Sequence, residues 1–175
     1  MGIEPKLRAK VFEEFLGTTL NSFTLTHASI GNLEQFDQTL TLNYSFVSTD
    51  YAKSAGNLLI LQPRVVGTKG WNILAGKPRK YPIEFKEATR QDDVFDITLP
   101  KGYVVDELPK PVKAECTYGT YKSEVQVDGN VLHYKRTYEI TDVIVPTQKL
   151  DEVKDSFRQI AADEHSSAIL KRATP

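Results

Sequence analysis

The sequence has a single cysteine, no long apolar run and almost no net charge. Cys116 is the only thiol among 175 residues, so the chain cannot form an internal disulfide. The longest purely aliphatic run is Leu58-Leu59-Ile60-Leu61, far short of the roughly 20 apolar residues that span a bilayer. The net charge is −1, so no global field draws the chain to nucleic acid or to an anionic membrane. We therefore expect neither membrane insertion nor nucleic-acid binding.

A secretory signal is also missing from the beginning of this sequence. Met1-Gly2-Ile3-Glu4-Pro5 has neither the basic start nor the apolar stretch of such a signal. Two interpretations follow: a cytoplasmic protein, or a fragment whose signal lies upstream. Met1-Gly2 resembles a cloning start, which favours the fragment.

Helical periodicity occurs near each end of the chain. Residues 6–20 are predicted to form a helix, because apolar side chains recur there at helical spacing opposite Glu13 and Glu14. A second helix is predicted to open at Pro146-Thr147, with Thr147 as its N-cap. Its apolar stripe consists of Leu150, Val153, Phe157 and Ile160.

Period-two alternation between the helices predicts strands. Residues 39–46 place Leu40, Leu42, Tyr44 and Phe46 on one face, which indicates a half-buried strand. Residues 58–61 are continuously apolar and are predicted to be a strand buried on both sides. Further strands are predicted at 95–99 and 103–108, with a short closing strand at 166–170.

The clearest local signal is a hairpin at residues 125–132. Asp128-Gly129 between alternating strands favours a two-residue turn in which both central residues have positive φ. This turn predicts that Val125 faces Leu132 and that Lys122 faces Lys135. The predicted register places apolar side chains on one face of both strands.

The order of elements predicts a mainly β fold, α+β by strict count. We expect an antiparallel β-sandwich, immunoglobulin-like in style, with an N-terminal helix and a C-terminal helix followed by a short strand. The predicted parts are a helix with the first strands at 1–66, a glycine-rich basic loop at 67–80 and a C-terminal β-domain at 81–175. The loop is expected to tuck Trp71, Ile73 and Leu74 against the body, and the parts to form one compact unit.

No residue pattern points to catalysis, a metal or a cofactor, so we expect none of the three. Cys116 lies in an extended stretch beside Glu115, which disfavours the thiolate that a nucleophile needs. His27, His133 and His165 lack the spacing of a zinc site and are interpreted as surface residues. Asp92-Asp93 and Asp96 are interpreted as a polar turn before a strand. The glycines at 70 and 76 do not match a phosphate-binding loop.

One basic segment is a weak candidate for an anion or partner contact. No Asp or Glu occurs between Tyr51 and Ile83, and such local imbalance can mark an anion-binding face. The alternative is a solvated loop balanced by the acidic stretch 84–96. The candidate contact residues are Arg64, Lys69, Lys77, Arg79 and Lys80.

The second half of the chain resembles a known family. The resemblance is carried by residues 79–85, by 97–105 with its Leu-Pro-Lys-Gly-Tyr-Val-Val stretch, and by the second Leu-Pro at 108–109. The hairpin with Tyr134-Lys135-Arg136 and the segment ending in Ile169-Leu170-Lys171 complete it. This succession resembles the C-terminal β-domain of bacterial transglutaminase-like proteins that also carry an N-terminal domain of unknown function.

The resemblance implies a non-catalytic accessory domain that packs against or positions the upstream transglutaminase-like core of the same polypeptide. It also implies an extracytoplasmic location in bacteria, at the periplasm or cell surface. The family's thiol, histidine and aspartate belong to that core, and no segment here matches them. The alternative is an independent adhesion or ligand-binding module for another envelope protein or a glycan.

Overall fold

The computed structural model describes residues 5–69 and 80–173. The chain divides into two compact units, Met1–Lys53 and Ser54–Pro175. Trp71, Ile73 and Leu74, which the sequence predicts to pack against the body, lie outside the described residues.

The first unit combines a helix with an antiparallel ribbon. It contains α1 (Pro5–Gly17), β1 (Thr24–Gly31) and β2 (Thr41–Val47). The ring of Phe12 lies 5.6 Å from that of Tyr44, and the rings of Phe23 and Phe46 are 6.2 Å apart. Leu40 and Leu42 remain 54 % and 47 % exposed, so the predicted inward face is covered only at its Tyr44–Phe46 end.

The second unit contains the remaining strands and the second helix. Its first strands are β3 (Lys53–Ala55), β4 (Leu58–Leu61), β5 (Ile83–Glu84), β6 (Thr89–Thr98), β7 (Tyr103–Glu107) and β8 (Val112–Cys116). They are followed by β9 (Gly119–Asp128), β10 (Val131–Ile140), β11 (Ile144–Val145), a 3-10 helix (Thr147–Lys149), α2 (Leu150–Glu164) and β12 (Ala168–Arg172). Neither helix among the described residues is long and apolar enough to cross a membrane.

Two four-stranded sheets form the body of the second unit. Their strand orders are β6-β10-β9-β8 and β3-β4-β12-β7, and β11 pairs with β5. The pairings of β6, β8, β9 and β10 are antiparallel, as are those of β12 with β4 and β7. The predicted fold class is confirmed: a mainly β, antiparallel, sandwich-like α+β fold with two helices and a closing strand.

The division between the two units falls between Lys53 and Ser54. Strand β4 pairs with β12 at the other end of the chain, so residues 58–61 belong with the second unit. A local pattern cannot reveal a pairing between segments this far apart. Within β4 only Leu61 is fully buried, so the prediction that the strand is buried on both sides was wrong for its first three residues.

The hairpin forms, but the predicted register was wrong by two residues. Asp128 faces Val131, Val125 faces Tyr134 and Lys122 faces Thr137. The central turn residues are Gly129 and Asn130, and only Gly129 has a positive φ, at 58°. That combination fits a type II′ turn, which needs glycine at its first central position. A shift of two residues preserves the face of every side chain, so the predicted apolar face is still the buried one.

The Gly129→Ala substitution should therefore lower the free energy of unfolding by about 1–2 kcal/mol, the cost of a Cβ at positive φ. Asn130→Ala is the matched control, because Asn130 does not have a positive φ, and its effect should stay within about 0.5 kcal/mol. Urea denaturation of both variants checks the expectation. Equal losses in the two variants would contradict the observed turn.

Helix α2 covers one side of the β8–β9–β10 region. Val153, Phe157 and Ile160 are buried, which confirms the predicted stripe. They pack in one cluster with Tyr118 and Tyr138. Thr147 was predicted to be the N-cap, and this was wrong: it begins the 3-10 helix, and no side chain caps the start of either helical segment.

Candidate functional site

The thiol and the histidines occupy separate places. The Cys116 Sγ donates to the Gly119 carbonyl oxygen at 3.1 Å, and the side chain packs against the core cluster as a small apolar residue. On β9, the partner of Cys116 is Gly119 and the partner of His133 is Gln126. These two partners are seven residues apart in sequence, about 23 Å along an extended strand. Cys116 and His133 therefore do not form a thiol–imidazole pair.

The three histidines do not gather into a metal site. His133 Nδ1 lies 2.6 Å from Asp96 Oδ1 at the surface. His27 belongs to β1, in the first unit, and His165 follows the last turn of α2. Among residues 5–69 and 80–173, no cluster of three or more His, Cys, Asp or Glu side chains can hold a metal ion.

A cluster of buried charges lies inside the second unit, where none was predicted. Arg136 is 2 % exposed, Arg64 4 % and Glu164 0 %. Arg136 Nη1 donates to Asp93 Oδ2 at 2.6 Å, and its Nε lies 3.0 Å from Glu164 Oε1. Arg64 Nη1 lies 2.9 Å from the same Asp93 oxygen. Two guanidinium groups and two carboxylates thus neutralise one another, as buried charges require, and of the four side chains Asp93 is the one that stays partly exposed, at 28 %.

Aromatic rings enclose the two guanidinium groups. The Arg136 guanidinium lies 5.8 Å from the ring centre of Tyr121 and 5.3 Å from that of Tyr138. The Arg64 guanidinium lies 5.5 Å from the ring centre of Phe95. A cation within about 6 Å of an aromatic face is stabilised by the ring quadrupole. These rings therefore offset part of the cost of burying the two arginines.

Buried tyrosine hydroxyls extend the polar network. The Tyr121 hydroxyl donates to Asp163, and the Tyr118 and Ser156 hydroxyls are hydrogen-bonded at 2.5 Å. Burial raises the pKa of Tyr134 and of Tyr138 to about 12. Burial also raises the pKa of Tyr118 and of Tyr121 well above the ordinary value. All four phenols therefore stay protonated at physiological pH.

Lys69 connects the buried charges to the surface. Its backbone N–H donates to Glu164, and its Nζ donates to Gln91 Oε1 at 2.9 Å. The Nζ also lies 4.7 Å from the ring centre of Tyr138. Burial lowers the pKa of Lys69, and the positive charges of Arg136 and Arg64 act in the same direction. Its ammonium group is therefore less stable as a cation than an exposed lysine.

Lys69 also lines a cleft of about 210 Å³. The apolar lining residues come from the region between α2 and the β6–β10 side of the sheet: Phe85, Tyr138, Ile140 and Phe157. The polar lining residues are Lys69, Lys86, Glu87 and Thr89. The rings of Phe85 and Phe157 are stacked 6.3 Å apart, so a pair of aromatic rings and the Lys69 side chain line the same cleft.

The five residues predicted to contact an anion have different positions. Arg64 is buried and paired with Asp93, so its charge is already neutralised by a carboxylate of the same unit. Lys69 lies at the cleft and Lys80 is exposed. Lys77 and Arg79 lie outside the described residues. The predicted anion contact therefore depends, within residues 5–69 and 80–173, on Lys69 and Lys80.

No sequence pattern indicated that Asp93, Arg136 and Glu164 form a charge cluster. The interpretation of Asp92, Asp93 and Asp96 as a polar turn was wrong, because all three lie within β6. A signal for Arg136 is present in the sequence: it alternates in step with Tyr134 and Tyr138, which share the buried face of β10. A charge at that position requires an internal partner, but its identity depends on the tertiary fold.

Another carboxylate, that of Glu152, caps the turn between β8 and β9. Glu152 Oε1 accepts a hydrogen bond from the Thr117 hydroxyl at 2.6 Å and another from the Thr117 backbone N–H. The Thr117 hydroxyl, its N–H and the neighbouring Lys149 lower the pKa of Glu152 from 4.5 to about 2. The contact links the start of α2 to the β8–β9 hairpin.

The contribution of Glu152 to stability should disappear in acid. A carboxylate whose pKa is lower in the folded than in the unfolded state stabilises the fold at pH values above the unfolded-state pKa. For Glu152 this stabilisation is lost as the pH falls from about 4.5 to about 2. Glu152→Gln should therefore be less stable than the wild type at pH 7, with a difference that shrinks towards pH 2.5. Urea midpoints measured across this range check the sign. A difference that grows in acid would contradict it.

Comparisons with known proteins identify a family and one similar structure. The model of a family described as "Domain of Unknown Function with solved-structure structure (DUF3858)" matches residues 57–170. A crystal structure described as a "putative protease" from Parabacteroides distasonis is similar, with a TM-score of 0.52 and 16 % sequence identity. The match covers 70 % of this chain but only 24 % of that protein. The search of curated proteins found no match.

Proposed function

From the premise that this chain belongs to the DUF3858 family, a domain of unknown function, we propose that it is a non-catalytic accessory domain of a larger protein. It packs against, or positions, a transglutaminase-like or cysteine-protease-like catalytic core in the same polypeptide. Following the resemblance in the sequence, the parent is an extracytoplasmic protein of the bacterial envelope.

One observation carries this proposal. The fold of about 70 % of this chain recurs as about a quarter of a longer protein that is described as a "putative protease". Most of that polypeptide therefore lies outside the match and has room for a catalytic core. A fold alone does not specify an activity, so the proposal also depends on the side chains of this chain.

Those side chains support a structural role. The Cys116 thiol donates to a carbonyl inside a tight hairpin, and His133 is paired with Asp96 on another part of the sheet. A nucleophilic cysteine needs a base within hydrogen-bond reach and an environment that favours the thiolate. The buried charges are paired with one another, which suits an internal framework better than a reaction site.

Two measurements test the proposal. The purified chain should neither hydrolyse a denatured protein substrate nor cross-link glutamine to lysine, and Cys116→Ser should behave as the wild type. The core encoded in the same reading frame, expressed separately, should bind the chain in calorimetry. Activity that is lost in Cys116→Ser would overturn the non-catalytic role. A reading frame without such a core, or a core that does not bind, would overturn the accessory role.

A further inference from the structure

Lys69 is a half-buried cation that has no carboxylate partner in the part of the chain that the structure describes. Its Nζ contacts the Gln91 side-chain oxygen and the Tyr138 ring. Within residues 5–69 and 80–173, no ion pair within 4.0 Å involves Lys69. The nearby carboxylates of Asp93 and Glu164 are instead paired with arginines. A cation that has lost hydration without gaining a counter-ion is a favourable place for an anion.

The cleft beside Lys69 has the size of a single side chain. Its volume of about 210 Å³ is below the roughly 300–1,000 Å³ of pockets for drug-sized ligands. Among the apolar lining residues, Ile140 and Phe157 are 8 % and 3 % exposed, whereas Phe85 is only partly buried, so Phe85 presents the apolar surface for an aromatic or aliphatic group. The cleft therefore has room for one apolar side chain and not for a larger ligand.

The charges around the cleft favour an anionic ligand. Lys69 and Lys86 line it with two positive charges, whereas Glu87 contributes one negative charge. Glu87 and Thr89 also offer oxygen atoms that can accept a hydrogen bond from an amide N–H. A carboxylate near Lys69 and an N–H near Glu87 or Thr89 is the arrangement found at the terminal residue of a peptide.

We propose that this cleft binds a carboxylate joined to one apolar side chain, as in the C-terminal residue of a peptide. The carboxylate pairs with the Lys69 ammonium, and the side chain lies against Phe85. Such capture of a terminal carboxylate is a known mode of peptide recognition. The inference does not depend on the proposed accessory role.

The probes are N-acetyl-phenylalanine and a hexapeptide ending in phenylalanine, each compared with its C-terminal amide. Calorimetry should show that each acid binds about tenfold more tightly than its amide, because a charge-assisted contact is lost in the amide. Lys69→Met should abolish this preference and Lys113→Met should keep it, since Lys113 is exposed and paired with Glu115. The Lys69 backbone N–H to Glu164 is retained in Lys69→Met, and its thermal midpoint serves as the folding control.

Each outcome is decisive. Binding of both acids supports a peptide terminus. If N-acetyl-phenylalanine binds and the hexapeptide acid does not, the carboxylate site is retained and the assignment of the ligand as a peptide terminus is overturned. Equal binding of acid and amide, no binding of either, or backbone NMR shifts confined to residues away from Phe85 and Tyr138 overturns the site. Since burial lowers the pKa of Lys69, the affinity should also fall as the pH rises through that lowered value.

Discussion

Replacing Glu164 by glutamine should lower the free energy of unfolding by about 3 kcal/mol. Removing one partner of a buried ion pair typically costs about 3–5 kcal/mol, because the other charge stays buried without compensation. We expect the lower end of this range because Arg136 retains its ion pair with Asp93, whose Oδ2 lies 2.6 Å from the Arg136 Nη1. The glutamine retains an oxygen that can accept the Lys69 N–H, so the loss reports mainly on the charge. Urea unfolding followed by circular dichroism measures it.

A double variant separates the buried charge from simple loss of packing. Arg136→Met combined with Glu164→Leu removes both charges and leaves Asp93 paired with Arg64. It should recover much of the stability lost in Glu164→Gln, since apolar replacements of a buried pair are often close to neutral. Arg158→Gln is the control for an exposed pair with Asp155 and should cost less than about 1 kcal/mol. A cost below about 1 kcal/mol for Glu164→Gln would refute a stabilising role for its charge.

The Gly119→Ala substitution should destabilise the second unit by about 3 kcal/mol or more, at or above the upper end of the usual cost of overpacking. A Cβ at Gly119 would lie 1.9 Å from the Glu139 carbonyl oxygen and 3.0 Å from the Ile140 Cα. Both are backbone atoms of β10, so no side-chain rotation relieves the clash. Strands β9 and β10 would have to separate where Gly119 faces Ile140.

Gly17→Ala is the matched control for this substitution. No atom lies within 4 Å of a Cβ built at Gly17, and the residue ends α1, where alanine is the better helix former. Thermal unfolding should show a large loss for Gly119→Ala and no loss for Gly17→Ala. Losses of similar size would show that the close approach of β10 to Gly119 does not limit stability.

The local patterns predicted the elements better than they predicted the pairings between them. Alternation correctly indicated the hairpin strands, and the turn residues correctly indicated a two-residue connection. The register nevertheless differed by two residues, because Asp128-Gly129 and Gly129-Asn130 are both acceptable turn sequences. The buried face survived the difference because side chains in a strand alternate with a period of two.

The candidate site was less predictable than the fold. Arg64 and Lys69 were both noticed as part of a basic segment, but the structure gives them different environments. Arg64 is paired with Asp93 inside the unit, whereas Lys69 lines a cleft without a carboxylate partner within the described residues. The difference depends on where β6 and the end of α2 lie, and these segments are far from residues 64–69 in the chain.

The amino-acid sequence by itself determined the periodicity of the chain, and with it the two helices, the two strands of the hairpin and the buried face of β10. Periodicity relates residues that are close in sequence, so it can be recognised without knowledge of the tertiary structure. Only the tertiary structure decided that β4 joins β12, that Gly119 faces the backbone of β10, and that Arg136 meets Glu164. Those contacts join segments distant in sequence, and their energy depends on distances that the chain acquires only when the sheets assemble.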